Sequence, residues 1–275
     1  MPHRGGGEAG GARAHPQPGG EERTCDLLVG ADGSWSRVRP LLTDATPTYT
    51  GVSFIEISIA EVERRRPALS RLVGHGSLFA FADGKALMAQ RNGDGSVRTY
   101  VGLSVPEDWL TTSGIRCDHP AQARTALLGH FADWAPQLTD LIRYCDDAFL
   151  PRPLLMLPVG LRWPTRPGVT LLGDAAHLMS PFAGEGANLA LQDAGELGLA
   201  IAESGGAGIA VLESYEQAMF ERATPHAAQS AANLELCFSP DGARAMGALL
   251  KEQDGGGKGG DAPLSQSSRL PQAAR

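Results

Sequence analysis

The stretch from Val169 to Ala202, VTLLGDAAHLMSPFAGEGANLALQDAGELGLAIA, leaves this chain few folds to choose from. It opens on Val169, Thr170, Leu171 and Leu172, a short run with the character of a buried strand. Gly173 and Asp174 follow and put a carboxylate at the strand's carboxyl end. A turn containing Pro181 leads to Gly184-Glu185-Gly186. From there Leu189, Ala190, Ala194, Leu197, Ala200 and Ile201 recur three or four residues apart, which predicts a long helix with one apolar face. Strand, polar edge, glycine turn and helix start, in that order, build a place for an anionic or electron-rich ligand. Glycines let the backbone approach such a ligand, and the unpaired N–H groups of the first helical turn favour negative charge.

At 275 residues the chain has room for one large or two modest domains, and a hydrophobic content of 42% is enough for a real core. The formal charge of -7 and a pI near 5.5 argue against nucleic acid as a partner, because phosphate contacts need clustered Lys and Arg. No apolar run reaches the length of a membrane span. The four cysteines, Cys25, Cys117, Cys145 and Cys237, are scattered without a CxxC pair. They fit reduced thiols in a cytoplasmic protein better than a disulfide frame or a zinc site.

Residues 1–23 are rich in Gly, Pro, Ala and charge without hydrophobic period, and are expected to be a disordered tail. They lack the apolar core of a signal peptide, and Glu8, Glu21 and Glu22 argue against a basic transit peptide. The fold is expected to begin near Cys25. CDLLVGADGSWSRVRPLL reads as a strand from Asp26 to Val29, a Gly30-Ala31-Asp32-Gly33 turn and a short helix carrying Arg37 and Arg39, with Ser34 as its N-cap. Asp32 at a strand end can accept ribose hydroxyls or hold an arginine. Equally, Asp32 and Arg37 can simply brace their own loop.

From Thr48 to about Pro158 the pattern changes. GVSFIEISIA alternates in part, SLFAFAD and KALMAQ flank the hairpin signal Asp83-Gly84, and SVRTYVGLSV follows the Asn92-Gly93-Asp94-Gly95 turn. This predicts an antiparallel meander of four or five strands. His119 to Cys145 reads as helical, with Ala123, Leu127, Phe131 and Trp134 at helical spacing and Pro136 breaking the run. AFLPRPLLMLPVGLRWP is extended and punctuated by proline, with Arg162 and Trp163 just before the Val169 strand. A second long helix is expected from about Ile209 to Leu236, and residues 251–275 read as a disordered tail.

GDAAHLMSPFAGEGANLALQDA resembles the second FAD-binding signature of the class A flavoprotein monooxygenases, the para-hydroxybenzoate hydroxylase fold, and is nearest in look to their tetracycline-inactivating branch. The resemblance implies an α/β fold of mixed α+β type. In it, an FAD/NAD(P)-binding Rossmann-like domain, residues 24–47 and 159–237, carries an inserted, mostly antiparallel β-sheet substrate domain, residues 48–158. It implies that Asp174 binds the ribityl or ribose part of FAD. Pro181, Gly184 and Gly186 would lie beside the isoalloxazine ring, with backbone N–H groups near Ala187 and Asn188 at its pyrimidine edge. The Asp32 and Arg37 segment resembles the family's other internal signature, which joins FAD and, in many members, the nicotinamide donor. Glu56 occupies a strand position that resembles a substrate-facing one. His177 reads as a structural hydrogen-bond partner, and no residue stands out as a catalytic acid, base or metal ligand.

Members of the family open with a strand, a GxGxxG turn and a helix that cradle the FAD pyrophosphate. No such pattern precedes Cys25, so the Rossmann-like domain is expected to be incomplete and FAD binding impaired. The implied activity is hydroxylation of an aromatic or polyketide-like small molecule with FAD, O2 and NADPH or NADH. The alternatives are a non-catalytic fragment of the same fold and an FAD-linked oxidoreductase that does not use O2.

Overall fold

The computed structural model describes residues 12–13, 24–244 and 246–248. In chain order its elements begin with β1 (Ala12–Arg13), β2 (Thr24–Cys25), β3 (Leu28–Gly30) and β4 (Thr48–Ile59). Helices α1 (Val62–Arg65) and α2 (Pro67–Val73) precede β5 (Ser77–Ala82), β6 (Lys85–Arg91) and β7 (Val97–Ser104). Then come α3 (Trp109–Thr112), α4 (Pro120–His130), α5 (Pro136–Arg143), β8 (Leu150–Met156) and β9 (Val169–Leu171). Last are α6 (Asp174–His177), α7 (Gly186–Ser204) and α8 (Ile209–Cys237). Single 3-10 turns occupy Arg39–Leu41 and Pro181–Ala183. The architecture is a mixture of helices, a short parallel pair and an antiparallel sheet, as expected of the fold.

The described residues fall into two compact units, one made of residues up to Thr48 with Leu155–Ala231, the other of Tyr49–Leu154 with residues from Ala232 onward. Of the expected disordered tails, Ala12–Arg13 pairs with Thr24–Cys25 as an antiparallel β1–β2 ribbon, so that short piece has regular structure. The rest of residues 1–23, and residues 251–275, lie outside the described residues.

In the unit that contains β4 the strands lie in the order β5-β6-β7-β4-β8. The β5–β6, β6–β7 and β7–β4 pairings are antiparallel. Asp83 (φ 48°) and Gly84 (φ 70°) both take positive φ, the demand of a type I′ hairpin, which is why Asp-Gly stands there. Along β4, Ile55, Ile57 and Ile59 share one face with their cross-strand neighbours Val101 and Val97. That face packs on Leu127, Phe131, Leu141 and Ile142 from the α4–α5 segment, all fully buried. Pro120 and Pro136 each occupy a first turn, where the missing N–H costs nothing. The helical stretch read over His119 to Cys145 is thus two helices, broken before Pro136, which starts the second.

The opposite sheet face carries Phe54, Glu56 and Tyr100, with the Phe54 and Tyr100 rings 5.6 Å apart. Gly102 shares it because a Cβ there would come within 2.9 Å of the Phe238 ring. Phe238 in turn stacks on Phe54 at 6.4 Å.

In the other unit β3 and β9 pair in parallel, Leu28 against Val169 and Gly30 against Leu171. The strand expected over Asp26 to Val29 is shifted toward its carboxyl end. Gly30 has to be glycine, since a Cβ would lie 2.5 Å from Leu171 and 2.8 Å from Val38. Leu171 heads a cluster with Trp163, Leu197, Leu212, Met219 and Phe220. The Trp163 and Phe220 rings meet edge to face at 4.7 Å, and the Arg162 guanidinium lies 5.5 Å from the Phe220 ring. On α8, Glu216 is wholly buried and accepts hydrogen bonds from the Thr165 and Thr170 hydroxyls at 2.5 and 2.8 Å.

The buried face of α7 differs from the expected apolar stripe. Leu189, Asp193 and Leu197 are buried, whereas Ala194 is exposed. A carboxylate takes the central position because donors from three directions meet there.

Cysteines are free thiols throughout, two of them buried, and burial pushes the Cys237 thiol up to about 12. No helix among the described residues is long and apolar enough to cross a membrane.

Phe131 has no exposed surface and sits edge to face on Trp134 at 4.8 Å, so truncation there leaves a cavity rather than a dent. Phe131→Ala should lower the unfolding free energy by about 3–5 kcal/mol in a urea titration, with the far-ultraviolet dichroism of the folded state unchanged.

Candidate active site

Parallel pairing brings the carboxyl ends of β3 and β9 to the same side, the side on which open α/β sheets bind ligands. The loop after β3 folds on its own carboxylate. Asp32 accepts the Arg37 backbone N–H at 2.7 Å. Burial pushes its carboxyl up, but the Ser36 hydroxyl and the N–H groups of Arg37 and Val38 outweigh that and hold it below the ordinary range. Arg37 contributes its backbone here, while its side chain is exposed.

Ser34 was the expected N-cap, yet Val38 holds that position with no side-chain cap bond, while Ser36 Oγ accepts the Val38 and Arg39 N–H groups at 3.2 and 3.0 Å. The 3-10 turn starts at Arg39, four residues later than a Ser34 cap would place it. Ser34 instead offers its carbonyl to Arg39.

Arg39, which the sequence marked only as a residue of the segment after β3, is the buried link between the two loops. Its side chain is buried, 3% exposed, and no carboxylate among the described residues pairs with it. Nε donates to the Ala175 carbonyl at 2.7 Å, and one terminal nitrogen donates to the Ser34 carbonyl at 2.9 Å and the Asp174 carbonyl at 3.2 Å. One guanidinium thus ties the loop after β3 to the turn after β9. Burial depresses its pKa, opposed by the nearby charges of Asp32 and Asp174, and an arginine stays ionised regardless.

At the end of β9, Gly173 takes φ +59°, and a Cβ would sit 2.9 Å from Ala190 of α7. Asp174 follows, exposed, its carboxylate making no hydrogen bond to another described residue. Desolvation by the surrounding protein pushes this carboxyl upward against the pull of His177 and Arg39.

His177 is buried, and its Nε2 lies 2.6 Å from Asp193 Oδ2. Asp193 also accepts the Gly173 N–H at 3.0 Å and the Arg222 guanidinium at 2.9 Å. Burial would raise the Asp193 carboxyl, but these donors hold it below the ordinary range.

Pro181 begins the 3-10 turn, and Gly184 closes it with φ +71°. The first hydrogen bond into α7 runs from the Leu189 N–H to the Glu185 carbonyl at 2.9 Å. The N–H groups of Gly186, Ala187 and Asn188 precede it without a backbone acceptor among the described residues. A Cβ built on Gly184 or Gly186 would meet no protein within 4 Å, so open space faces the backbone at both. An uncommitted carboxylate, three free amides and a glycine turn with room beside it fit the ribityl and ring portions of a flavin.

Glu56 belongs to the other unit. Its side chain is 12% exposed and paired with Arg98 and Arg152, each at 3.2 Å, so it is an ion-paired group rather than a solvated one. A cavity of about 20 Å³ beside His177, lined by Leu157, Leu161, Met219 and Phe220, has room for one water and none for a substrate. No group of three potential metal ligands occurs among the described residues.

Comparison with known proteins converges on the same chemistry. Residues 164–230 match the FAD binding domain family model. Monooxygenase penA of Penicillium thymicola is 30% identical over 272 residues, covering 83% of this chain and 63% of that protein. The chain thus spans less than two thirds of that relative's length. Among solved structures, HpxO of Klebsiella pneumoniae complexed with FAD and uric acid aligns with a TM-score of 0.68 at 24% identity, over 85% of this chain and 57% of that one. A salicylate hydroxylase substrate complex aligns with a TM-score of 0.71 at 19% identity, over 98% and 70%. Identities this low establish shared fold alone, but together with the matched FAD-binding segment and the curated relatives they place the chain among the class A FAD-dependent monooxygenases.

Proposed function

We propose that this chain holds FAD at the carboxyl ends of β3 and β9 and serves the NAD(P)H-dependent hydroxylation of a small aromatic or polyketide-like molecule by O2. The observation that carries this is the juxtaposition made by the parallel pair: a braced Asp32 loop and an exposed, unpartnered Asp174 side by side, the latter's turn packed on α7 at Ala190. When bound, FAD supplies the redox chemistry between the nicotinamide donor and O2.

The protein's share is position and electrostatics. Asp174 accepts a ribityl or ribose hydroxyl. Asp32, already occupied by Ser36 and the Arg37 N–H, shapes the neighbouring loop. Pro181 and Gly184 set the turn, and the Gly186, Ala187 and Asn188 amides favour negative charge at the pyrimidine edge of the ring. Glu56, held between Arg98 and Arg152, is the substrate-facing polar group of the sheet. HpxO with uric acid and salicylate hydroxylase support a substrate with a planar ring. Free thiols fit a reducing compartment, and we place the reaction in the cytoplasm.

Titrating FAD into the purified chain should quench flavin fluorescence. Asp174→Ala should weaken binding by roughly tenfold or more, the worth of about one hydrogen bond to a charged group. Flavin fluorescence that stays unchanged at the highest chain concentration rejects the assignment. With FAD bound, NAD(P)H oxidation coupled to O2 uptake separates a monooxygenase from an FAD-linked oxidoreductase, which oxidises NAD(P)H without consuming O2, and from a fragment that does neither. Arg39→Met should lower stability by about 3 kcal/mol or more, since it leaves buried carbonyls of both loops without donors; thermal unfolding measures it.

A further inference from the structure

Asp193 lies mid-helix on the buried face of α7, where packing alone calls for a leucine, and it has no exposed surface. Burying a carboxylate is costly unless partners replace its water. The partners here come from three separate elements. Oδ2 takes the N–H of Gly173, the second residue past β9, and faces His177 at the end of α6. Oδ1 takes Arg222 of α8, which also reaches Glu196 one turn further along α7 at 2.8 Å.

His177 Nδ1 is buried without a partner among the described residues. The Asp193 carboxylate can only accept, so His177 Nε2 is the donor of the bond between them. Asp193 therefore grips the Gly173–His177 turn at both ends, and Asp174 stands between the two grips. The turn's own bonds, from the Ala176 and His177 N–H groups to the Gly173 carbonyl at 2.8 and 2.9 Å, all lean on Gly173 as well.

We propose that Asp193 is the positioning residue of this site: through Gly173 and His177 it keeps the turn that carries Asp174 in a single conformation against α7. A leucine at the position would bury more apolar surface but leave the Gly173 N–H and His177 Nε2 unpaired, so what the carboxylate contributes is orientation of the turn. The consequence for flavin binding rests on the FAD assignment above; the hold on the turn does not.

Asp193→Asn keeps the size and removes the charge. Amide hydrogen exchange in the chain without flavin should quicken at least tenfold over 173–177 and stay unchanged in α4 and α5. FAD affinity, read by flavin fluorescence, should fall at least tenfold. Glu196→Gln, which touches Arg222 and Gln192 but not the turn, should leave both readouts at wild-type values. Unchanged exchange over 173–177 in Asp193→Asn overturns the proposal, as does a uniform loss of protection across β9, α7 and α8, the mark of a purely structural role. Faster exchange over 173–177 in a chain that binds no FAD, wild type or variant, sustains the hold on the turn and rejects the FAD assignment instead. Should Asp193→Asn fail to fold, His177→Gln carries the same test. It leaves Asp193 with Gly173 and Arg222, so faster exchange over 174–177 supports the proposal and unchanged exchange overturns it.

Discussion

Everything at the candidate site depends on a pairing of two strands of only three residues each, drawn from distant parts of the chain and aligned in parallel. Parallel ladders are slightly weaker per residue than antiparallel ones, and their partners have to be brought together over a long connection. Such a pair does not persist on its own hydrogen bonds. It persists because Leu171 is sealed in the cluster with Trp163, Leu212 and Met219, because Gly30 lets Leu171 and Val38 close over the ladder, and because polar clamps lock the loops at its end.

Those clamps, Arg39 and Asp193, work by opposite chemistry. Arg39 is a buried cation that meets only neutral carbonyls, so it gathers backbone from two loops without competing for a carboxylate. Its planar fork presents donors in several fixed directions at once, a geometry that a lysine's compact ammonium lacks. Asp193 is a buried anion that meets two N–H donors and a guanidinium, and the last of these balances its charge. Between them the Asp174 carboxylate is left with no protein partner among the described residues, in a turn held from both sides. A ligand hydroxyl arriving there finds an acceptor whose ordering cost is already met by the fold.

Local chemistry made much of this legible from residues alone. The Asp83-Gly84 hairpin was readable because positive φ at two successive residues leaves little choice of side chain. The Val169–Leu172 strand, the Gly173-Asp174 edge and the start of α7 were readable because apolar period and glycine placement change there within a few residues. Arg39 and Asp193 were not readable in the same way. Their partners, Ala175 for one and Gly173, His177 and Arg222 for the other, stand 16 to 136 residues away. A charged residue at such a position looks like a solvated one until the fold supplies its neighbours. A signal existed for Asp193: it falls four residues from both Leu189 and Leu197, on the stripe the helix buries. The Ser34 cap was misplaced for a simpler reason, since Ser34, Ser36 and Val38 all precede the same turn and only the start of the turn distinguishes them.

The sheet carries its polarity in a different manner. One face is closed by α4 and α5 over isoleucine, valine and leucine, so its chemistry is spent on packing. The other face has Phe54 and Tyr100 beside the Glu56 side chain, which two guanidinium groups share. Two arginines on one glutamate leave the cluster with a net positive charge among aromatic rings. Tyr100 is affected in turn: burial first, and then the Glu56 charge, push its phenol upward against Arg98 and Arg152, so it stays protonated and able to donate. A face with a retained phenol, a shared carboxylate and surplus guanidinium N–H groups is suited to a planar molecule bearing oxygen acceptors.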